Sequence, residues 1–379
     1  MTNQCETDTQ SFPSGNFTPI DMKNEKTLQA YKLLKHGHND LRILAGSDLD
    51  PDGFTLLAIL RNEMYFLPTF LDHYRRFGIQ RFVFLDDHSD DGSFEFLAQQ
   101  PDVIVVGSNR RFGDKVEILS SMSKSIKEFR IHFLWRSILY DMFACERWAL
   151  HVDLDEFIHL PLGMTFADLA SELDKQGVRA VWGVMLDVYP KDIAAFSEME
   201  GCSRLDASAT WYFDAEPHLR LRQDHHPKTI YPGARARLFY KYGIDRMYPL
   251  LGVRGHDVIQ RFLRKTRIYK KPLRYNSIVK PALLKWDHDC YFKSPHSTNL
   301  SASKNYLLPI QHFRFSGSLG QRIHTALRER TYFLDSSDYR LMSELLHAMR
   351  NKGGSFLYEK SKKLNHFEDF VDTRNAVGF

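Results

Sequence analysis

The chain has 379 residues, 43% of them hydrophobic and 26% charged, the balance of a globular protein with ample material for a large core. Its net charge of +4 is too mild to argue for nucleic acid as a partner. The four cysteines, Cys5, Cys145, Cys202 and Cys290, form no C-x-x-C pair, which argues against a disulfide framework or a structural zinc and for a reducing, cytoplasmic setting.

Residues 1–25 are polar and read as a flexible tail, with neither the basic start nor the apolar run of a secretory signal. No apolar stretch approaches the roughly 20 residues that span a bilayer, so any membrane contact is expected to be peripheral. Phe54–Leu60 is a short continuous apolar run, the mark of a strand buried on both faces, and it stops at Arg61-Asn62-Glu63. Phe66, Leu67, Phe70, Leu71, Tyr74 and Phe77 then recur at helical spacing, closed by Gly78. Arg81–Leu85 is the next strand and runs into Asp86-Asp87-His88-Ser89-Asp90-Asp91-Gly92-Ser93. A helix begins at Phe94, a strand covers Val103–Val106, a helix covers about 132–145, and Trp148–Val152 is another apolar run. A helix near 165–176 and a strand over Ala180–Leu186, ending at Asp187, follow. From about 200 to 330 the pattern turns irregular and aromatic-rich, and 318–350 returns to helical periodicity. Alternation of strand and helix predicts a parallel sheet covered by helices, with functional residues at the carboxyl ends of the strands. Polar clusters fall there at 61–63, 86–91 and 153–156.

Asp153-Leu154-Asp155-Glu156-Phe157 is the most informative segment. In an extended chain, side chains two apart share a face, so this spacing predicts two carboxylates aimed at one point. They repel each other unless a cation lies between them. Mg²⁺ or Mn²⁺ suits such oxygen ligands and leaves coordination positions for substrate phosphates. The bland alternative is a solvated acidic turn. Glu156 points the other way and reads as an acid that orients a ligand or serves a plain hydrogen bond.

Taken in order, Leu60-Arg61-Asn62-Glu63, Phe70–Gly78, Asp86–Ser93, His151–Phe157, Met185–Pro190, Gly233–Phe239 and His312-Phe313-Arg314-Phe315 resemble the landmarks of family 2-like glycosyltransferases with the GT-A fold, in the bacterial branch whose acidic motif reads Asp-x-Asp-Glu-Phe. The resemblance covers about residues 54–350. Ser93 stands where threonine is commoner, and Ala234 departs from a Gly-Gly pair. It implies an α/β fold with a Rossmann-like, mostly parallel central sheet flanked by helices, an irregular acceptor-side region and C-terminal helices. A GT-A domain would cover 26–330, with a nucleotide-sugar half at about 54–160 and an acceptor half at about 161–330. A C-terminal helical extension would cover 331–379.

The activity implied is metal-dependent, inverting transfer of a sugar from a nucleoside diphosphate sugar to a hydroxyl on a glycan or lipid-linked acceptor, in bacterial surface glycan synthesis. Arg61, Asn62, Glu63, Asp86, Asp87 and Asp153 would bind the nucleotide sugar. Asp153, Asp155 and His312 would hold Mn²⁺ or Mg²⁺. Each has an ordinary reading too: Arg61 as a salt bridge to Glu63 or Asp87, the Asp86–Asp87 pair as loop-starting hydrogen-bond acceptors, and His312 as a core histidine. Inverting transfer needs a group that takes the acceptor's proton. Asp187 is the first candidate and Asp257 the second, and either could equally be a structural acceptor. Ten Lys or Arg and one acid between residues 254 and 285, interleaved with Tyr269, Tyr275 and Trp286, read as a solvated face or as a surface for an anionic acceptor or lipid headgroups. Rival readings are a sugar-nucleotide nucleotidyltransferase, disfavoured because no Gly-rich loop follows the first strand, and a non-catalytic nucleotide- or carbohydrate-binding module.

Overall fold

The computed structural model describes residues 26–46, 49–120, 125–215, 219–221, 227–229, 233–244, 278–303, 305–330, 333–366 and 369–370. The chain divides into two compact units, one of residues 1–154, 162–181 and 281–302, the other of residues 155–161, 182–280 and 303–379. Both are built on strands flanked by helices, and both carry parallel and antiparallel pairing.

In the first unit α1 (Lys26–Gly37) and the exposed strand β1 (Arg42–Ala45) precede the alternating segment. β2 (Thr55–Leu60), β3 (Arg81–Asp86) and β4 (Val103–Gly107) are buried along their whole length, as strands covered on both faces must be. Between them, α2 (Leu67–Arg76) buries Leu67, Phe70, Leu71 and Tyr74 along one stripe. It is closed by Gly78, whose φ of +85° suits a residue without a Cβ. α3 (Ser93–Ala98), α4 (Ile131–Phe143), β5 (Trp148–His151) and α5 (Phe166–Lys175) follow, the last opened by a Thr165–Asp168 capping box.

The strands of this unit run in the order β1-β4-β3-β2-β5, with residues 281–285 beside β5. The four central strands are parallel, Leu60 lying opposite Asp86, Asp86 opposite Gly107, and Leu57 opposite His151. The two outer pairings are antiparallel, so the arrangement is mixed and only its centre has the parallel order expected from the sequence.

In the second unit β6 (Glu156–Ile158) pairs antiparallel with β8 (Leu307–His312), which pairs in parallel with β7 (Ala180–Asp187). α6 (Ile193–Glu200), α7 (Ala234–Lys241), α8 (Leu319–Glu329) and α9 (Phe333–Lys352) complete it. The helical signal over 318–350 is thus two helices, broken at Arg330, where φ is +53°. Met342, Leu345 and Met349 of α9 share one core with Phe196, Leu238 and Phe315. Among the described residues no helix is long and apolar enough to cross a membrane.

Residues 254–277, and with them Asp257, lie outside the described residues. Lys280 is buried against Glu156, Lys285 bonds Asp174 at 2.8 Å, and Trp286 is fully buried against Tyr140 with its N–H on Asp141. Of these three residues Lys280 and Trp286 are interior, whereas Lys285 stays partly exposed in its pair with Asp174.

Candidate functional site

Chain order along the first unit's strands reverses at β2. β3 and β4 step away on one side, and β5 lies on the other. Outside the carboxyl ends of strands at such a reversal is where open α/β sheets bind ligands. Arg61-Asn62-Glu63 leave β2 there, Asp86 and Asp87 end β3, and Asp153 follows β5.

The Asp86–Ser93 loop is clasped from β2. Asn62 has a φ of +56°, a conformation asparagine tolerates. Its side chain donates to Asp90 at 2.6 Å and accepts the Asp90 N–H at 2.9 Å, while its own N–H donates to Ser89 Oγ. The Glu63 N–H donates to Ser93 Oγ, and its carbonyl accepts the Phe66 and Leu67 N–H groups that start α2. Asp91 accepts from the Met64 and Ser93 N–H groups. Asn62, expected to touch the nucleotide, spends its amide on shaping the loop that presents Asp86 and Asp87.

Asp86 and Asp87 are both buried. Asp86 accepts the Ser89 N–H, and burial raises its carboxyl above the ordinary range. Asp87 accepts the Phe112 N–H at 3.1 Å with Arg111 Nε 3.7 Å away, and burial pushes it up to about 7. Its folded value lies above the unfolded one, so the stability it contributes is full below about pH 4 and is lost as pH rises through about 7. Asp87→Asn, which can still accept from Phe112, is expected to gain on the order of 2 kcal/mol over wild type between pH 5 and pH 8. Urea denaturation at the two pH values measures it, and an equal difference at both would contradict this account of Asp87.

Asp153 does not continue a strand. Residues 152–155 form a loop and turn, because β5 ends at His151 and β6 starts at Glu156. The extended geometry read from the Asp-x-Asp spacing is therefore absent. Asp153 keeps 42% of its side chain exposed and accepts from Arg136 Nη2 at 3.2 Å. Arg136, on α4, is 5% exposed, and its Nε and Nη1 are buried with no hydrogen-bond partner among the described residues. Beside it His132, stacked on Phe112 at 4.1 Å, is held neutral, burial and then the Arg136 charge lowering it to about 3.

The second unit carries a connected polar cluster. His312, the last residue of β8, sits between two acids, with Nδ1 2.6 Å from Asp187 and Nε2 3.5 Å from Asp155. Burial opposes its charged form, but Asp155 and Asp187 more than offset this and raise it to about 9. Asp155 is buried, and Arg322 of α8 donates to its Oδ2 at 2.6 Å. Burial raises the Asp155 carboxyl, yet Arg322 and His312 pull it well below the ordinary carboxylate range. Asp187 also accepts from Arg235 Nε at 2.9 Å. Burial is again outweighed, by Arg235 and His312, and Asp187 too falls well below that range. Arg235 and Arg314 both reach Asp338, at 3.5 and 3.3 Å, and Arg314 lies over the Tyr339 ring.

A carboxylate held by a guanidinium and an imidazole is a weak base, a setting that suits an acid orienting His312 better than one that takes a proton. Glu156 faces the interior, 2.7 Å from Lys280 with both side chains 2% exposed. Arg136, Arg235, Lys280, Arg314, Arg322 and Asp338 carry much of the electrostatics and were missed as site residues. Arg235 and Arg314 stand inside motifs that the sequence marks, whereas nothing local distinguishes Arg322.

His312 Nε2 and Asp155 Oδ2 face each other at a separation that two ligands of one ion can have, and Asp187 on Nδ1 is the partner that commonly orients a metal-bound imidazole. Among the described residues no third His, Cys, Asp or Glu joins them. Mg²⁺ and Mn²⁺ take one or two protein ligands when substrate phosphates supply others, so the pair would fit such an ion only after His312, raised to about 9, gives up a proton and Arg322 leaves Asp155. Compared with known proteins, the chain matches no family model and no curated protein.

Proposed function

We propose that this chain is a glycosyltransferase of the GT-A kind, which moves a sugar from a nucleoside diphosphate sugar to a hydroxyl acceptor. One observation carries the reading. Acids and a buried arginine with unsatisfied donors gather outside the parallel strands at the point where their order reverses, the expected seat of a nucleotide.

In the first unit, Asp86 or Asp87 accepts from the base or ribose, and Asp153 takes the ribose. Arg61 and Arg136 attract the phosphates, the unused donors of Arg136 matching an anion's oxygens. Asn62 and Glu63 hold the loop that presents Asp87. In the second unit, Asp155 and His312 are the ligands for Mn²⁺ or Mg²⁺, and Asp187, steadied by Arg235, fixes the imidazole. A bound divalent ion would offset the charge that builds on the departing diphosphate. The acceptor is a glycan or lipid-linked glycan, and a setting at the inner face of a membrane accords with that acceptor.

A thermal-shift panel of nucleoside diphosphates with Mn²⁺ tests the reading and identifies the base. At about 100 times its Kd, the matching nucleotide adds roughly 2.7 kcal/mol. No response to any nucleotide would count against it. A second reading, a non-catalytic nucleotide- or carbohydrate-binding module, draws support from Arg322, which already neutralises Asp155. Tight sugar-nucleotide binding with neither hydrolysis nor transfer would favour that one.

A further inference from the structure

Arg136 sits in the middle of α4 as a buried cation whose bonding is incomplete. Nη2 reaches Asp153 at 3.2 Å, whereas Nε and Nη1 are buried and meet no acceptor among the described residues. Asp153 is 42% exposed, so the guanidinium is approached from the opening outside β5. One turn earlier on the same face of α4, His132 lies 3.2 Å from the Phe112 carbonyl, and the Phe112 N–H donates to Asp87. Arg136 therefore stands beside the ends of β3 and β5 together, and all of these residues belong to the first unit. A guanidinium taken out of water with orphaned donors burdens the fold, since each unmade hydrogen bond carries its full desolvation penalty. Binding sites commonly keep groups that lower stability until their ligand arrives.

We propose that Arg136 makes the first unit a diphosphate site that needs no divalent ion; this rests on the reading of these strand ends as the seat of the nucleotide. A guanidinium offers a neighbouring pair of N–H groups on each of two edges, and an anion's oxygens take such a pair in fork geometry. Both edges include Nη2, so a bound phosphate competes with Asp153 for it. Asp153, half-exposed, gives way without leaving a buried charge behind. The low dielectric around Arg136 strengthens its hold on an anion beyond that of a surface cation. Any divalent ion then serves turnover and not the seating of the nucleotide.

Inorganic pyrophosphate, titrated calorimetrically into the full chain in excess EDTA, tests this. Wild type is expected to bind it, and Arg136→Met about a hundredfold more weakly, the loss that goes with charge-assisted hydrogen bonds. Asp153→Asn is expected to bind it about fivefold more tightly, because a like charge beside the anion's seat is gone. With no phosphate present, Arg136→Met is expected to melt about 2–4 °C above wild type, since the orphaned donors are removed and the acid left behind is half-exposed. A lower Tm together with unchanged pyrophosphate affinity would make Arg136 a structural member and overturn the proposal. Should Arg136→Met fail to fold, Asp153→Asn still decides: pyrophosphate bound no more tightly than by wild type overturns it. Pyrophosphate that binds wild type only once Mn²⁺ replaces EDTA would sink the metal independence and leave the nucleotide reading standing. A wild type that responds neither to pyrophosphate nor to any nucleoside diphosphate, with or without Mn²⁺, would take both down.

Discussion

Asp155→Asn is expected to lower donor turnover by roughly a thousandfold, the upper end of what removing one charge-stabilising group costs. The amide keeps the shape of the carboxylate but offers no charge to a cation. The fold is expected to persist, because Asp187 still holds His312 and Arg235. Asp155 is the foremost contributor to the raised His312 value of about 9, so in the variant that value should fall toward the ordinary histidine range. Steady-state kinetics with the nucleotide identified by thermal shift, together with NMR titration of His312, check both parts. Full metal-dependent turnover in a well-folded Asp155→Asn protein would show that the cation belongs elsewhere.

The second large effect concerns stability. Lys280→Met is expected to cost about 3–5 kcal/mol, because it strands the Glu156 carboxylate, 2% exposed, without its cation. Replacing both partners is a different matter. Glu156→Gln with Lys280→Met leaves no uncompensated buried charge, and the pair is expected to recover most of the loss. Urea denaturation of the two single variants and the double variant closes the cycle. If the double variant is as unstable as Lys280→Met alone, packing around β6 and not charge explains the cost. Glu156 adjoins Asp155, so a defect here would reach the cluster through the backbone: the Asp155 carbonyl accepts the Phe313 N–H at 2.8 Å, just after His312 in the chain.

What the sequence made legible follows from burial. Strands such as Thr55–Leu60 and Arg81–Asp86 are covered on both faces, so they appear as unbroken apolar runs whose polar ends stand out. The acids at 86, 87 and 153 could be found that way. The turn at Asp153–Asp155 could not, since no glycine or proline interrupts Trp148–Phe157 and the alternation reads as one strand. Partners far along the chain were equally hidden. Arg322 lies 167 residues from Asp155, and Lys280 lies 124 from Glu156. On its own helix Arg322 is an ordinary polar residue beside Ile323. Only the folded chain decides which acid it meets. The antiparallel pairings escaped for a related reason, because periodicity reports which faces are buried and carries no strand direction.

The route of the backbone has a consequence for biosynthesis. Residues 281–285, which pair with β5 (Leu283 opposite Leu150), are translated some 130 residues after the strand they cover. Until they leave the ribosome, Trp148–His151 presents an open hydrogen-bonding edge in a nascent chain, a template for mispairing and aggregation. The N-terminal portion therefore cannot mature ahead of the segment that interrupts it, and C-terminal truncations short of about residue 300 should yield insoluble material instead of a smaller folded protein.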